Sequence, residues 1–168
     1  MIAFIVAQIV SQKLDLDEYQ GSVDYIAIKK CQSALKLISG PILIEDTSLH
    51  LNALNGLPGP YIKDFIQKLE LNGLPKMISA WQDKSAVAKC IVAYGENESS
   101  EIMLFHGSIK GSIVNSAGSS GFGWDIYFVP EGYNQTFAEL GDEVKNKISH
   151  RFKAFQAFKE YFLQKKIN

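Results

Sequence analysis

The chain has 168 residues, 46% of them hydrophobic and 11% aromatic, a size and composition suited to one domain with a sizeable core. Its formal net charge of −1 excludes a general surface field for capturing nucleic acid or an anionic membrane. Cys31 and Cys90 have no metal-ligand spacing and read as reduced, buried small hydrophobes of an intracellular protein.

The opening MIAFIVAQIV is apolar but has no basic flank and no small-residue cleavage site, and it covers only about half a membrane span. It is expected to be a buried strand of a soluble, cytoplasmic protein. QKLDLDEYQG reads as a loop ending at Gly21. Ser22 is placed to cap a helix reaching Leu37, with Val23, Ile26, Ile28 and Leu35 set among lysines at helical spacing. Gly40-Pro41 ends that helix. PILIEDTS reads as a buried strand with Glu45 and Asp46 at its C-terminal mouth. LNALNGLPGP is an ordered loop, and Pro60 opens a helix with Ile62, Phe65, Ile66 and Leu69 on one face. A second short helix is expected from Leu74 to Trp81.

Ser85 to Tyr94 and Glu101 to Val114 read as two strands joined by a polar turn, a hairpin-like pair. SAGSSGFG is a loop and WDIYFVP a short aromatic strand. From Ser149 onward an amphipathic helix is expected, with Phe152, Phe155, Phe158 and Phe162 on its apolar side. Strands alternate with helices early and a hairpin follows. The pattern is that of one α/β domain over residues 1–168, a mixed sheet flanked by helices. Strand-end carboxylates in such a sheet face the crevice where ligands bind.

Three groups of residues have chemistry to offer. Glu18, Glu45 and Asp46 are acids of the kind that hold magnesium, which needs one or two carboxylates, waters and substrate phosphates. A neighbouring carboxylate then orients or deprotonates an attacking water. Adjacent acids at a strand end also serve simply as solvated or turn-capping groups, and the pair alone does not decide. The second group is GFGWD, Gly121 to Asp125, where an aromatic ring can stack on a base and glycine admits a close ligand. A tight turn with core aromatics has the same composition. The third is KNKISHRF, Lys145 to Phe152, in which Ser149 is an N-cap and His150 and Arg151 occupy a helix's first turn.

Arg151 separates the third group from an ordinary capped basic helix. Of the 17 basic residues, 16 are lysine. A sequence that uses lysine for every generic positive charge places its lone guanidinium where planar, multi-donor geometry is needed. Reading the O6 acceptor of a purine is such a task, because adenine carries a donor at that position and would face donors with a donor. His50 and His106 have no partner legible in the sequence and read as packed or exposed bystanders.

Taken together, EYQG at 18–21, IEDTSLHLNALNGLPGPYIK at 44–63, GFGWD at 121–125 and FAELGDEVKNKISHR at 137–151 resemble the inosine triphosphate pyrophosphatase family, in the same order and at the same spacing. The resemblance implies an elongated mixed sheet with two lobes, a central nucleotide cleft and a homodimer. It implies hydrolysis of ITP, dITP and XTP to the monophosphate and pyrophosphate with Mg2+. By match of motif, Glu18 and Asp46 hold the metal, and Asp46 with Glu45 beside it activates the water. Lys63 and Lys145 contact phosphate. Phe122 stacks on the base, Trp124 and Asp125 shape the pocket, and Ser149, His150 and Arg151 read the purine edge. The family's first strand and Ser/Thr-Gly-Asn-x-x-Lys phosphate turn have no counterpart here, and the chain starts where the family's second strand would. Three readings of that difference stand: a truncated or mis-started form of an ordinary enzyme, an enzyme that hydrolyses poorly, and the rival, a catalytically impaired nucleotide-binding or dimerising protein of the same fold.

Overall fold

The computed structural model describes residues 9–118 and 123–165. The expected opening strand lies largely outside them, as does Phe122.

Helix α1 (Val23–Leu37) starts where the sequence places it: the Ser22 backbone is extended and its side chain accepts from the Tyr25 amide, satisfying one otherwise unpaired helix-end donor. Its buried stripe of Ile26, Ala27, Cys31, Ala34 and Leu35 covers one face of a sheet. The strands are β1 (Ile42–Leu51), β2 (Pro58–Gly59), β3 (Ser85–Gly95), β4 (Met103–Ile113) and β5 (Phe128–Pro130), arranged β2-β1-β3-β4-β5. Among the described residues every strand pairing is antiparallel, with the β3–β4 hairpin at the centre.

Because side chains alternate along a strand, β1 has two personalities. Ile42 and Ile44 pack with Ile91, Ala93, Cys31 and Leu35 beneath α1. Leu43, on the other face, joins Cys90, Val92 and Phe105 beneath α5 (His150–Lys165). Farther along that same face, Leu49 and Leu51 enter a second core with Ile62, Leu74, Ile78, Trp124, Phe128 and Phe137. This core is closed by α2 (Ile62–Lys68), α3 (Gly73–Met77) and the start of α4 (Phe137–Ile148). The sheet thus runs through two packing regions, and Glu45 and Asp46 lie at their junction.

Several expectations change. The Glu45-Asp46 pair sits in mid-strand, because β1 continues to Leu51 after the apolar PILI run ends. The second short helix stops at Met77; Lys84 then reaches back to the carbonyl of Ile78 at 2.5 Å and of Trp81 at 2.6 Å. Trp124 to Tyr127 form a turn, leaving only Phe128–Pro130 as strand. Phe152 is exposed, whereas Phe155 and Phe158 pack from α5 onto the Cys90, Val92 and Phe105 cluster of the sheet and Phe162 meets Tyr94 edge-on. At the N-terminal end of α5 the inward position belongs to Ala154 instead. Helix α4 was not visible as a helix in the residue pattern, since Gly141 interrupts it with φ +73.

Candidate active site

On the α1 side of β1, Asp46 meets Lys30, at the middle of α1. Lys30 Nζ lies 3.3 Å from Asp46 Oδ2 and 3.5 Å from Glu18 Oε2, so one ammonium bridges two carboxylates from different segments. Lys63, at the start of α2, approaches the other Glu18 oxygen at 4.0 Å. Tyr61 adds its hydroxyl, which accepts from the Gly21 amide at 3.3 Å and ties the Glu18 loop to the turn before α2. Glu18, Lys30, Asp46 and Tyr61, with Gln20, Pro60 and Asp64, surround a cavity of about 180 Å³. Burial pushes the Asp46 carboxyl above its ordinary range, and the neighbouring Glu45 charge adds to this; Lys30 opposes both.

The site's fit to a hard cation rests on that bridge. Among the described residues no three His, Cys, Asp or Glu side chains cluster with metal-binding geometry. Magnesium does not require such a cluster: two carboxylates converging on one positive charge are the protein share it takes when phosphates and waters complete its shell. Glu18 and Asp46 already converge in this way on the Lys30 ammonium.

On the opposite side of β1 is a second cavity of about 420 Å³, lined by Asp125, Phe137, Asp142, Lys145, Ser149, His150 and Arg151. Lys145 and Asp125 form a close ion pair, with Asp125 almost fully buried. Ser149 accepts from the Phe152 amide at 3.2 Å and so caps α5, which puts His150 and Arg151 in its first turn. The buried His150 ring lies 5.3 Å from Trp124, centroid to centroid. Burial first, then the Arg151 charge, lower its pKa from 6.5 to about 4, so the imidazole is neutral at neutral pH. Close approach of α5 to the sheet depends on Gly107, where any Cβ would strike the His150 carbonyl and the Ala154 amide.

Glu45 stands between the two cavities but faces the second. Its Oε2 accepts from Arg151 Nη2 at 3.2 Å, while Oε1 accepts from Thr47 Oγ1 at 2.7 Å and Cys90 Sγ at 3.3 Å. Burial alone would raise its pKa, but these donors and the guanidinium charge outweigh it and hold the carboxyl below its ordinary value. The structure therefore separates Glu45 from Asp46, which the sequence reading had acting together.

Of the residues singled out by sequence, Glu18, Asp46 and Lys63 gather on the first side. Trp124, Asp125, Lys145, Ser149, His150 and Arg151 gather on the second, with Glu45 among them. Lys145 does not join Lys63. Lys30 was missed, because a lysine inside an amphipathic helix looks like any solvated charge until the strand beside it is known. His106 is exposed and paired with Asp24 at 3.0 Å, and His50 contacts Ser48 at 3.0 Å; neither touches the two cavities.

The class defined by these features is an α/β domain whose polar site is divided in two by a single strand. The chain belongs to the Ham1 family, whose model matches residues 2–161. It is 49% identical over 155 residues to a protein of Candida albicans named inosine triphosphate pyrophosphatase, an alignment covering 92% of this chain and 77% of that one. A solved Ham1 protein from Coxiella burnetii superposes with a TM-score of 0.82 at 29% identity, covering 90% of this chain and 81% of that chain. A structure described as a nucleoside-triphosphatase and dITP/XTP pyrophosphatase, from Mycobacterium abscessus, superposes with a TM-score of 0.71 at 28% identity, covering 89% and 80% of the two chains. The resemblance drawn from four motifs is thus borne out over nearly the whole chain.

Proposed function

We propose that this chain hydrolyses non-standard purine nucleoside triphosphates, ITP, dITP and XTP, to the monophosphate and pyrophosphate, as the names of its relatives suggest. The observation that carries the reading is the convergence of Glu18 and Asp46 on one cation position at β1, with the Arg151 cavity on the strand's other side.

Glu18 and Asp46 would hold Mg2+, which when bound neutralises charge building on the phosphate oxygens. The ionised Asp46 carboxylate takes a proton from water as its oxygen bonds to the α-phosphorus; the bridging α–β bond breaks and pyrophosphate leaves. Lys30 and Lys63 lie beside these acids and offer ammonium donors to the departing phosphates. In the other cavity, Ser149, His150 and Arg151 present donors to a purine edge beside Asp125, with Trp124 packed against the His150 ring; by match of motif, Phe122 would stack on the base. Lys145, paired to Asp125, keeps that carboxylate oriented and adds a positive charge near the nucleotide. An adenine amino group in this place would oppose donor with donor and leave buried groups unpaired, which disfavours ATP.

The reading includes action as a homodimer in the cytoplasm; the two cysteines, free and buried, suit a reducing compartment. The test is pyrophosphate release from ITP, ATP and GTP with magnesium and with chelator. Magnesium-dependent release favouring ITP is the expected result. Absence of release with retained ITP binding would support the rival, a nucleotide-binding protein without turnover.

A further inference from the structure

We propose that Glu45 is a positioning residue for base discrimination, holding the Arg151 guanidinium in place, and that it has no share in the cation-holding group around Asp46. This rests on the nucleotide reading of the two cavities given above.

The argument is one of direction and of donors. Consecutive β1 residues point to opposite faces, so Asp46 meets Lys30 under α1 while Glu45 meets Arg151 under α5. Both Glu45 oxygens are already engaged by protein donors from three elements: Thr47 on β1, Cys90 on β3 and Arg151 on α5. A carboxylate so occupied is poorly placed to ligate a metal or take a proton from water. It is well placed to fix a cation. Arg151 lines the cavity while its Nη2 is held by Glu45, and α5 itself is held at fixed height over Gly107. A guanidinium restrained in this way meets a base acceptor without first losing the freedom of a long side chain, which favours geometric selectivity over mere charge.

The test compares wild type, Glu45→Gln, Arg151→Lys and the double variant, with kcat and KM measured for ITP and ATP across a magnesium titration. Glu45→Gln is expected to lower the ITP-over-ATP ratio of kcat/KM by about 10-fold, chiefly through a higher KM for ITP. The magnesium concentration giving half-maximal rate should match wild type. In the double variant the ratio should lie within about two-fold of that for Arg151→Lys alone, since both changes act through one guanidinium. An equal fall in kcat on ITP and ATP with a shifted magnesium requirement would place Glu45 in the cation group and overturn the proposal. So would an unaltered ratio, or multiplicative effects in the double variant. Thr47→Val, which removes only a hydroxyl that orients Glu45, is the second variant should Glu45→Gln not fold; it should lower the ratio by less, and no change overturns the idea. If wild type releases no pyrophosphate, the hydrolase reading fails by itself, and the binding ratio of IMP to AMP across the same variants decides the role of Glu45.

Discussion

Glu45 and Asp46 are neighbours in sequence and back to back in space, one facing Arg151 of α5 and the other Lys30 of α1. Strand β1 is therefore the partition of the site. A shift of one residue in its register against β3 would exchange the two carboxylates between faces and dismantle both cavities.

Asp46→Asn should reduce pyrophosphate release from ITP by at least roughly 100-fold while leaving ITP binding measurable. The amide keeps the shape and the hydrogen bond from Lys30 but can neither accept a proton nor offer full charge. Turnover within a few-fold of wild type would remove Asp46 from the reaction.

Lys30→Ala should move the acid limb of the pH–rate profile upward. Lys30 favours the ionised form of Asp46, whose pKa burial already raises above 3.8, so its loss raises that value further. Asp46 is then protonated, and inactive, at a pH where wild type still works. An acid limb that stays in place would show that Asp46 is not the titrating group.

Arg151→Lys should narrow the ITP-over-ATP preference by about 10-fold, since an ammonium supplies charge but not the planar fork. Ratios of kcat/KM for the two nucleotides give the answer directly. A preserved ratio would assign discrimination to other groups in the cavity.

His150 makes folding stability depend on pH. Its pKa falls from 6.5 to about 4 in the fold, so between these values the unfolded chain binds a proton that the folded chain does not. Stability from this source is full above pH 6.5 and drains away as pH falls toward 4, by roughly 3 kcal/mol. Urea unfolding at a series of pH values should show that slope in wild type and a shallower one in His150→Gln.

Gly107→Ala should destabilise the protein by about 1–3 kcal/mol, as overpacking does, and weaken ITP selectivity together with it. The added methyl would push on the first turn of α5 at the His150 carbonyl, one residue from Arg151. Thermal melting and the nucleotide ratio check the two effects separately; a normal melting temperature would mean that α5 moves away without cost.

The sequence by itself determined the elements whose causes are local. Ser22 caps α1 and Ser149 caps α5 because each hydroxyl lies within reach of an amide three residues on, a relation readable from spacing. The β3–β4 hairpin was legible as two β-rich runs around a polar turn, and the lone arginine was legible from composition alone. Only the tertiary structure decided which carboxylate goes with which cation. Lys30 and Asp46 are 16 residues apart, and Glu45 and Arg151 are 106 apart. Sequence periodicity shows that adjacent strand residues face opposite ways, but not which helix covers each face. The packing of α1 on one side and α5 on the other settles it, because each half-buried carboxylate is offset by the cation that its covering helix brings to it.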